Sequence, residues 1–173
     1  MGTRFAPEHV ARRQRSGRVS VHVWGWIDGH GRGTLHRIGG RFTAAAYQQL
    51  LRDEFLPSLR RMRATPVLMM QDNSRVHTAR STARFFADEA DIDLLPWVAR
   101  GPDMNPIENV WGYMTSELTP RLRDRRITAD QLWEEIQQCW ARIVTPRYCR
   151  RLAESVPSRM REVVDNGGHW AGY

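Results

Sequence analysis

The stretch Pro66-Val67-Leu68-Met69-Met70-Gln71-Asp72-Asn73-Ser74-Arg75-Val76-His77-Thr78 decides the fold. Its apolar run is too short for a helix and too continuous for a half-exposed strand. It therefore predicts a buried strand with a carboxylate, Asp72, at its carboxyl end. Sites in α/β sheets are built at such strand ends. Immediately downstream, Thr78 to Ala90 predicts a helix with Ala79, Thr82, Ala83, Phe86 and Ala90 on one face, and Ile92 to Leu95 predicts another short strand. Strand, helix and strand in that order imply a parallel component in the sheet.

Upstream, Ser20 to Asp28 sets Val21, Val23 and Ile27 among Trp24 and Trp26, and Asp28-Gly29 ends the run. With Thr34 to Ile38 beyond a glycine-rich turn, this predicts a β-hairpin. Thr43 can cap a helix whose Ala46, Tyr47, Leu50, Leu51 and Phe55 recur at helical spacing, with Pro57 near its end. Beyond the central stretch, Pro106 opens a helix striped by Ile107, Val110, Trp111 and Met114, and Pro120 is expected to stop it. Thr128 caps a helix to about Val144, in which Trp133 and Trp140 join the apolar stripe. Arg147 to Val164 forms a last helix, so the chain ends in a helical pair.

The chain has 173 residues, 41% of them hydrophobic and 26% charged, as expected of a globular domain rather than a disordered or fibrous one. Its longest apolar run is far short of the ~20 residues a membrane-spanning helix needs, so no membrane partner is expected. Two cysteines and no signal-like opening predict a reducing, intracellular setting. Every cation is arginine, 26 in all against 19 acids, giving +7. The excess is local: five arginines oppose Glu8 in residues 1–20, four oppose Asp124 in residues 119–126, and the remainder balances. Guanidinium groups bind phosphate bidentately, so these segments read either as a polyanion-binding surface or as solvated faces. The candidate contacts are Arg12, Arg13 and Arg15 in the arm and Arg121, Arg123, Arg125 and Arg126 after the fourth helix.

Asp72 at a strand end and Glu108 in a helix's first turn could offer two hard oxygen ligands to one divalent cation, Mg²⁺ being the natural candidate. The alternative is that Asp72 is a turn or cap residue. His77 either orients a ligand or satisfies a loop–helix junction. Asn73 either supports the acids through a hydrogen bond or belongs to the turn. Trp97, before a loop, could stack on a base or pack in the core, and Asp103 fits a loop acid better than a ligand.

Gln71-Asp72-Asn73, His77-Thr78-Ala79 and Pro102-Asp103-Met104-Asn105-Pro106-Ile107-Glu108-Asn109-Val110-Trp111-Gly112 closely resemble the DDE endonuclease domain of the Tc-one/mariner transposase superfamily. The 35 residues between Asp72 and Glu108 match the family's spacing of its second and third acids. The resemblance extends to Ser20-Val-His-Val-Trp-Gly-Trp-Ile, to Gly33-Thr-Leu-His-Arg-Ile-Gly-Gly and to the closing Gly167-Gly-His-Trp-Ala-Gly-Tyr. It implies an α/β RNase H-like mixed sheet flanked by helices, with Asp72 and Glu108 as catalytic, metal-binding acids on two Mg²⁺ or Mn²⁺ ions. It further implies double-stranded transposon-end DNA as partner and, in a eukaryote, a nuclear location.

The family's first acid lies on a first, central strand upstream of the segment that Arg4-Phe5-Ala6-Pro7-Glu8-His9-Val10 resembles, and residues 1–173 hold no such strand. The expected organisation is an arginine-rich arm over 1–17, an incomplete DDE core over 18–126 and a C-terminal helical extension over 127–173. Strand cleavage and transfer are expected to be impaired, and metal binding weak or partial. A homodimer, or a partner that supplies the missing strand, is the expected assembly. The other reading is a non-catalytic DNA-binding or interaction module.

Overall fold

The computed structural model describes residues 19–96 and 104–165. Its chain opens with the expected hairpin, β1 (His22–Ile27) against β2 (Gly33–Ile38), antiparallel with His22 opposite Ile38 and Ile27 opposite Gly33. Asp28 makes the turn: its Oδ1 accepts from the His30 and Arg32 amides, both at 2.9 Å, and Arg32 Nε donates to Oδ2. The carboxylate is thus a turn residue, as Asp-Gly predicts. Helices cover both faces of the hairpin, which explains its nearly continuous apolar run. Trp24 and Trp26 pack on the first helix, whereas Gly25 lies under the Trp111 and Trp140 rings, where a β-carbon would stand 3.1 Å from each.

The first helix begins at Thr43, whose side chain accepts from Ala46 N, and runs as α1 (Ala44–Leu50), a π-helical turn (Leu51–Phe55) and α2 (Leu56–Arg61). The wider π turn rotates the face by one residue, so that Tyr47, Leu51, Phe55, Leu56 and Leu59 all point into one core. Pro57 therefore sits inside the helical run, just after the π turn, and does not end it.

β3 (Val67–Met69) pairs in parallel with β4 (Ile92–Leu94), Val67 opposite Ile92. Between them lies α3 (Arg80–Asp88), two residues shorter at each end than its sequence pattern, with Thr82, Phe85 and Phe86 buried. Ala83 and Ala90 are not among the buried residues, so the buried face is centred on the phenylalanines and not on the alanines. β3 also departs from expectation: it ends at Met69, and Leu68 is 68% exposed. Val67 and Met69 pack into the first core, but the face and edge that Leu68 presents have no strand or helix over them among the described residues.

The described residues thus contain two separate two-stranded sheets, β1–β2 and β3–β4, in place of one mixed sheet. Their relative direction follows from α1–α2. Tyr47 touches Trp24 and the His77 ring beyond β3, Phe55 touches Trp24 and Trp26, and the Leu59 carbonyl binds the Ala64 amide just before β3. β1 therefore runs down the helix while β3 runs up it. The two sheets present antiparallel edges to one another.

A second core joins α4 (Pro106–Leu122), α5 (Ala129–Ile143) and α6 (Pro146–Asp165), centred on Val110, Met114, Cys139, Trp140 and Leu152. α4 packs on α5 and α6 and on Ile27 and Leu35 of the hairpin, so the helical pair is continuous with the rest. Pro120 lies within α4 and does not stop it: the helix continues to Leu122, where Leu118 and Leu122 still pack against the core. Thr128 and Gln131 close a reciprocal capping box on α5. Trp140 is buried, while Trp133 is only half-buried and outside both cores. Cys139 and Cys149 are buried free thiols. No helix among the described residues is long and apolar enough to cross a membrane.

Gly31 fixes how the hairpin tip meets this helical unit. It has φ +81, and a β-carbon there would stand 2.4 Å from the Pro146 nitrogen. Gly31→Ala combines left-handed strain with a backbone clash and is expected to destabilise the fold by about 1–3 kcal/mol, against less than that for the open Gly39→Ala, read from thermal or urea unfolding.

Candidate active site

Asp72 lies three residues beyond β3, in a turn that leads to α3. Its Oδ1 accepts from the Ser74 amide at 3.0 Å and from His77 Nδ1 at 2.6 Å. His77 Nδ1 also faces the Asp72 carbonyl at 3.2 Å; both partners are acceptors, so Nδ1 carries the proton. Partial burial alone would raise the Asp72 pKa, but the Ser74 amide and the neighbouring His77 outweigh it and hold the carboxyl below its ordinary value. Asp72 is therefore both a turn-forming residue and an ionised carboxylate in reach of a ligand.

Tyr47 stands behind this pair. Its side chain is fully buried, its ring lies 4.6 Å from that of His77, and its hydroxyl donates to Gln71 Oε1 at 2.7 Å. Burial, and secondarily the Asp72 charge, raise its pKa, so it remains a neutral donor. Sequence spacing identifies Tyr47 as core. The polar side of its role, holding the residue before Asp72, carries no sequence signal because it depends on α1 crossing β3.

Glu108 comes from a different direction. Asn105 caps α4, its Oδ1 accepting from Ile107 N at 3.4 Å, and Pro106 takes the first helical position. This places Glu108 in the first turn, where the helix dipole favours a carboxylate. Asn109, next to it, is tied away from the site: its Oδ1 accepts from Arg159 Nη1 at 2.7 Å, and its carbonyl accepts from the Tyr148 hydroxyl. Arg159 is buried on α6 and has no signal in the sequence beyond the arginine-rich background.

Asp72, His77 and Glu108 line one cleft of about 760 Å³. Its walls are β1 from Val23 to Asp28 and β3 onward from Val67 to Asp72; Tyr47, Phe55 and Leu59 close one face, and Ile107, Trp111, Ala153 and Val156 the other. The two acids singled out by the sequence thus face the same space. Asn73 is exposed beside Asp72. Arg12, Arg13, Arg15, Trp97 and Asp103 lie outside the described residues.

The arginines after α4 divide. Arg121 and Arg125 both donate to Glu135, Arg121 also faces Glu117 at 3.5 Å, and Arg142 donates to Glu117. Arg123 and Arg126, with Arg125, rim a separate groove between α4 and α5 lined by Met114, Leu118 and Leu132. Any phosphate bound at this cluster competes with Glu135 for Arg121 and Arg125.

Whether the residues fit a pair of divalent ions is decided by the donor set. Asp72 and Glu108 bring two carboxylates, but no group of three or more His, Cys, Asp or Glu side chains among the described residues is placed to hold a metal ion. The donor set is that of a partial site, short of what two ions need.

A family model described as the DDE superfamily endonuclease matches residues 2–130. The Tcb1 transposase of Caenorhabditis briggsae is 30% identical over 174 residues, covering 100% of this chain and 62% of that protein. The Tc1 transposase of Caenorhabditis elegans is 27% identical over 174 residues with the same coverage, 100% and 62%. The chain spans about three fifths of the length of these relatives. Among solved structures, the Mos1 transposase catalytic domain with raltegravir and Mn superposes with TM-score 0.70 at 22% identity, covering 88% of this chain and 78% of that one. The Mos1 paired-end complex with the left transposon end gives TM-score 0.74 at 23% identity, covering 92% and 47%. These place the fold in the RNase H-like class, with the two acids lining one cleft between its sheets.

The Asp72 carboxylate stabilises its turn only while ionised. Because its folded pKa is lowered, that stability is present above the unfolded value, about 3.9, and is lost as pH falls through the folded one. Asp72→Asn is accordingly expected to be less stable than the parent at pH 7, with the two curves converging as pH falls below about 3.9 in a pH series of thermal unfolding.

Proposed function

The chain belongs to the DDE superfamily endonucleases, as a Tc-one/mariner-type transposase domain, and from that premise we propose that it acts in metal-dependent cleavage and transfer of DNA strands, with Asp72 and Glu108 as two of three acids. The observation that carries this reading is that both acids, from opposite sides of the fold, line one cleft. His77 keeps the Asp72 carboxylate oriented and ionised, and Asn73 adjoins it on the exposed side of the turn. Mg²⁺ or Mn²⁺ at such a site activates the attacking oxygen and neutralises the leaving one. Two carboxylates do not hold two ions, so the third acid has to come from outside the described residues. Without it the chain cleaves poorly or not at all.

The DNA partner is double-stranded, and in a eukaryotic host the site of action is the nucleus. Phosphate contacts fall to Arg12, Arg13 and Arg15 in the arm and to Arg123 and Arg126, with Arg121 and Arg125 contributing only as they leave Glu135. The local arginine excess in residues 1–20 and 119–126 favours a second reading, a DNA-binding module without catalysis.

Titration of Mn²⁺ into the chain, with plasmid nicking in parallel, separates these. The catalytic reading expects weak binding, with Kd above about 10⁻⁴ M, abolished in both Asp72→Asn and Glu108→Gln. Binding unchanged by either variant would overturn it. DNA affinity measured against salt is expected to be sequence-independent and steep, and Arg123→Ala with Arg126→Ala should lower the slope of log Kobs on log salt by about 0.9 for each phosphate no longer neutralised. An unchanged slope would remove these arginines from the interface.

A further inference from the structure

Arg159, on α6, is the one buried arginine among the described residues, 9% exposed. A duplex phosphate does not reach it there, so a polyanion-binding role, which suits the exposed arginines, does not account for it. Taking a guanidinium out of water is costly, and an apolar side chain of similar volume would fill the position without that cost. What the guanidinium adds is direction, because its planar fork fixes the group it binds.

That group includes Asn109. Arg159 Nη1 donates to Asn109 Oδ1 at 2.7 Å, and Tyr148, three turns earlier on the same face of α6, donates its hydroxyl to the Asn109 carbonyl at 3.4 Å. Leu152 lies between the two, buried in the second core. Two polar ties from α6 thus converge on the residue that follows Glu108. Successive helical residues stand about 100° apart around the axis, so holding Asn109 against α6 turns Glu108 to a set direction. Apolar packing does not supply this by itself. Val110 and Met114 anchor α4 through its apolar stripe, and such contacts are non-directional. The Asn105 cap fixes where the helix begins.

The helix that holds Asn109 is also a wall of the site. Ala153 and Val156 of α6 line the cleft together with Glu108, and the start of α6 is seated on the hairpin tip at Gly31. Each acid then has its own polar anchor: Asp72 through His77 and Tyr47, Glu108 through Asn109 and Arg159.

We propose that Arg159 is a positioning residue for Glu108: acting through Asn109, it sets the rotation of the first turn of α4, and with it the direction from which Glu108 approaches a metal ion shared with Asp72. The role of the ion rests on the catalytic reading above; the tether itself does not.

The test uses Arg159→Met, which keeps the length and apolar stem of the side chain, and Asn109→Ala, at an exposed position where the fold is kept. Mn²⁺ titrated into the full chain is expected to bind about 10-fold more weakly to either variant, as when a group that orients a metal ligand is removed. The double variant should bind no more weakly than either single one, because both substitutions cut the same tie. Leu152→Ala loosens the same interface but removes neither tie, so it should lower the unfolding temperature and leave Mn²⁺ affinity unchanged. A readout without metal is amide exchange at Glu108, whose N–H donates to the Asn105 carbonyl, and at Val110. Exchange at both should quicken in Arg159→Met and stay unchanged along α5. Equal weakening of Mn²⁺ binding by Leu152→Ala, additive losses in the double variant, or unaltered exchange at Glu108 and Val110 sinks the proposal. If Asp72→Asn and Glu108→Gln leave parental Mn²⁺ binding intact, the catalytic reading falls, and the tether stands or falls on the exchange result alone.

Discussion

Everything in this structure hangs on one helix lying across two sheets that share no ladder among the described residues. α1–α2 presents Tyr47, Leu51, Phe55, Leu56 and Leu59 as a single apolar ridge. Trp24 and Trp26 pack on it from the hairpin, and Val67, Met69, Ile92 and Leu94 pack on it from the parallel pair. Hydrogen bonds alone cannot join these sheets, because no ladder connects them among the described residues. Burial of apolar surface against the helix does so, and the π turn makes it possible by keeping five large side chains on one face.

The same helix reaches the chemistry. Tyr47 is fully buried in the ridge and its hydroxyl holds Gln71, while its ring backs the imidazole that holds Asp72. The position of Asp72 is thus tied to the core rather than to its own turn alone. Glu108 is fixed by other means, a capped helix entry and the dipole of α4, with Asn109 and Arg159 pinning that helix to α6. Two unrelated local solutions converge on one cleft. This is how a site distributed over distant sequence segments keeps its geometry.

Much of this is legible in the sequence, for reasons that can be named. The hairpin follows from Asp28-Gly29, α5 from Thr128, and α4 from Pro106. Each is a local rule that tertiary packing does not override. Asp72 and Glu108 are legible through motif and spacing. Leu68 is not, because continuous apolarity signals a strand covered on both faces, and here one side has no cover among the described residues. Pro120 misleads because a proline near a helix end forfeits little, and packing of Leu118 and Leu122 outweighs it. The burial of Phe85 in place of Ala83 reflects the rotation of α3 against its neighbours, which periodicity alone cannot fix. Tyr47's polar partner and Arg159's role are invisible in the sequence, since both depend on crossings between elements more than 20 residues apart.

The glycine at the hairpin tip has a mechanical meaning. Gly31 is seated so closely on Pro146 that the tip and the start of α6 cannot separate or slide without one displacing the other. β1 is also tied to β2 over six residue pairs, whereas β3 is tied to β4 over three. The two walls of the cleft are thus anchored unequally: the hairpin wall is locked to the helical unit through its tip, whereas Asp72 follows the shorter parallel pair and owes its place to Tyr47 and His77.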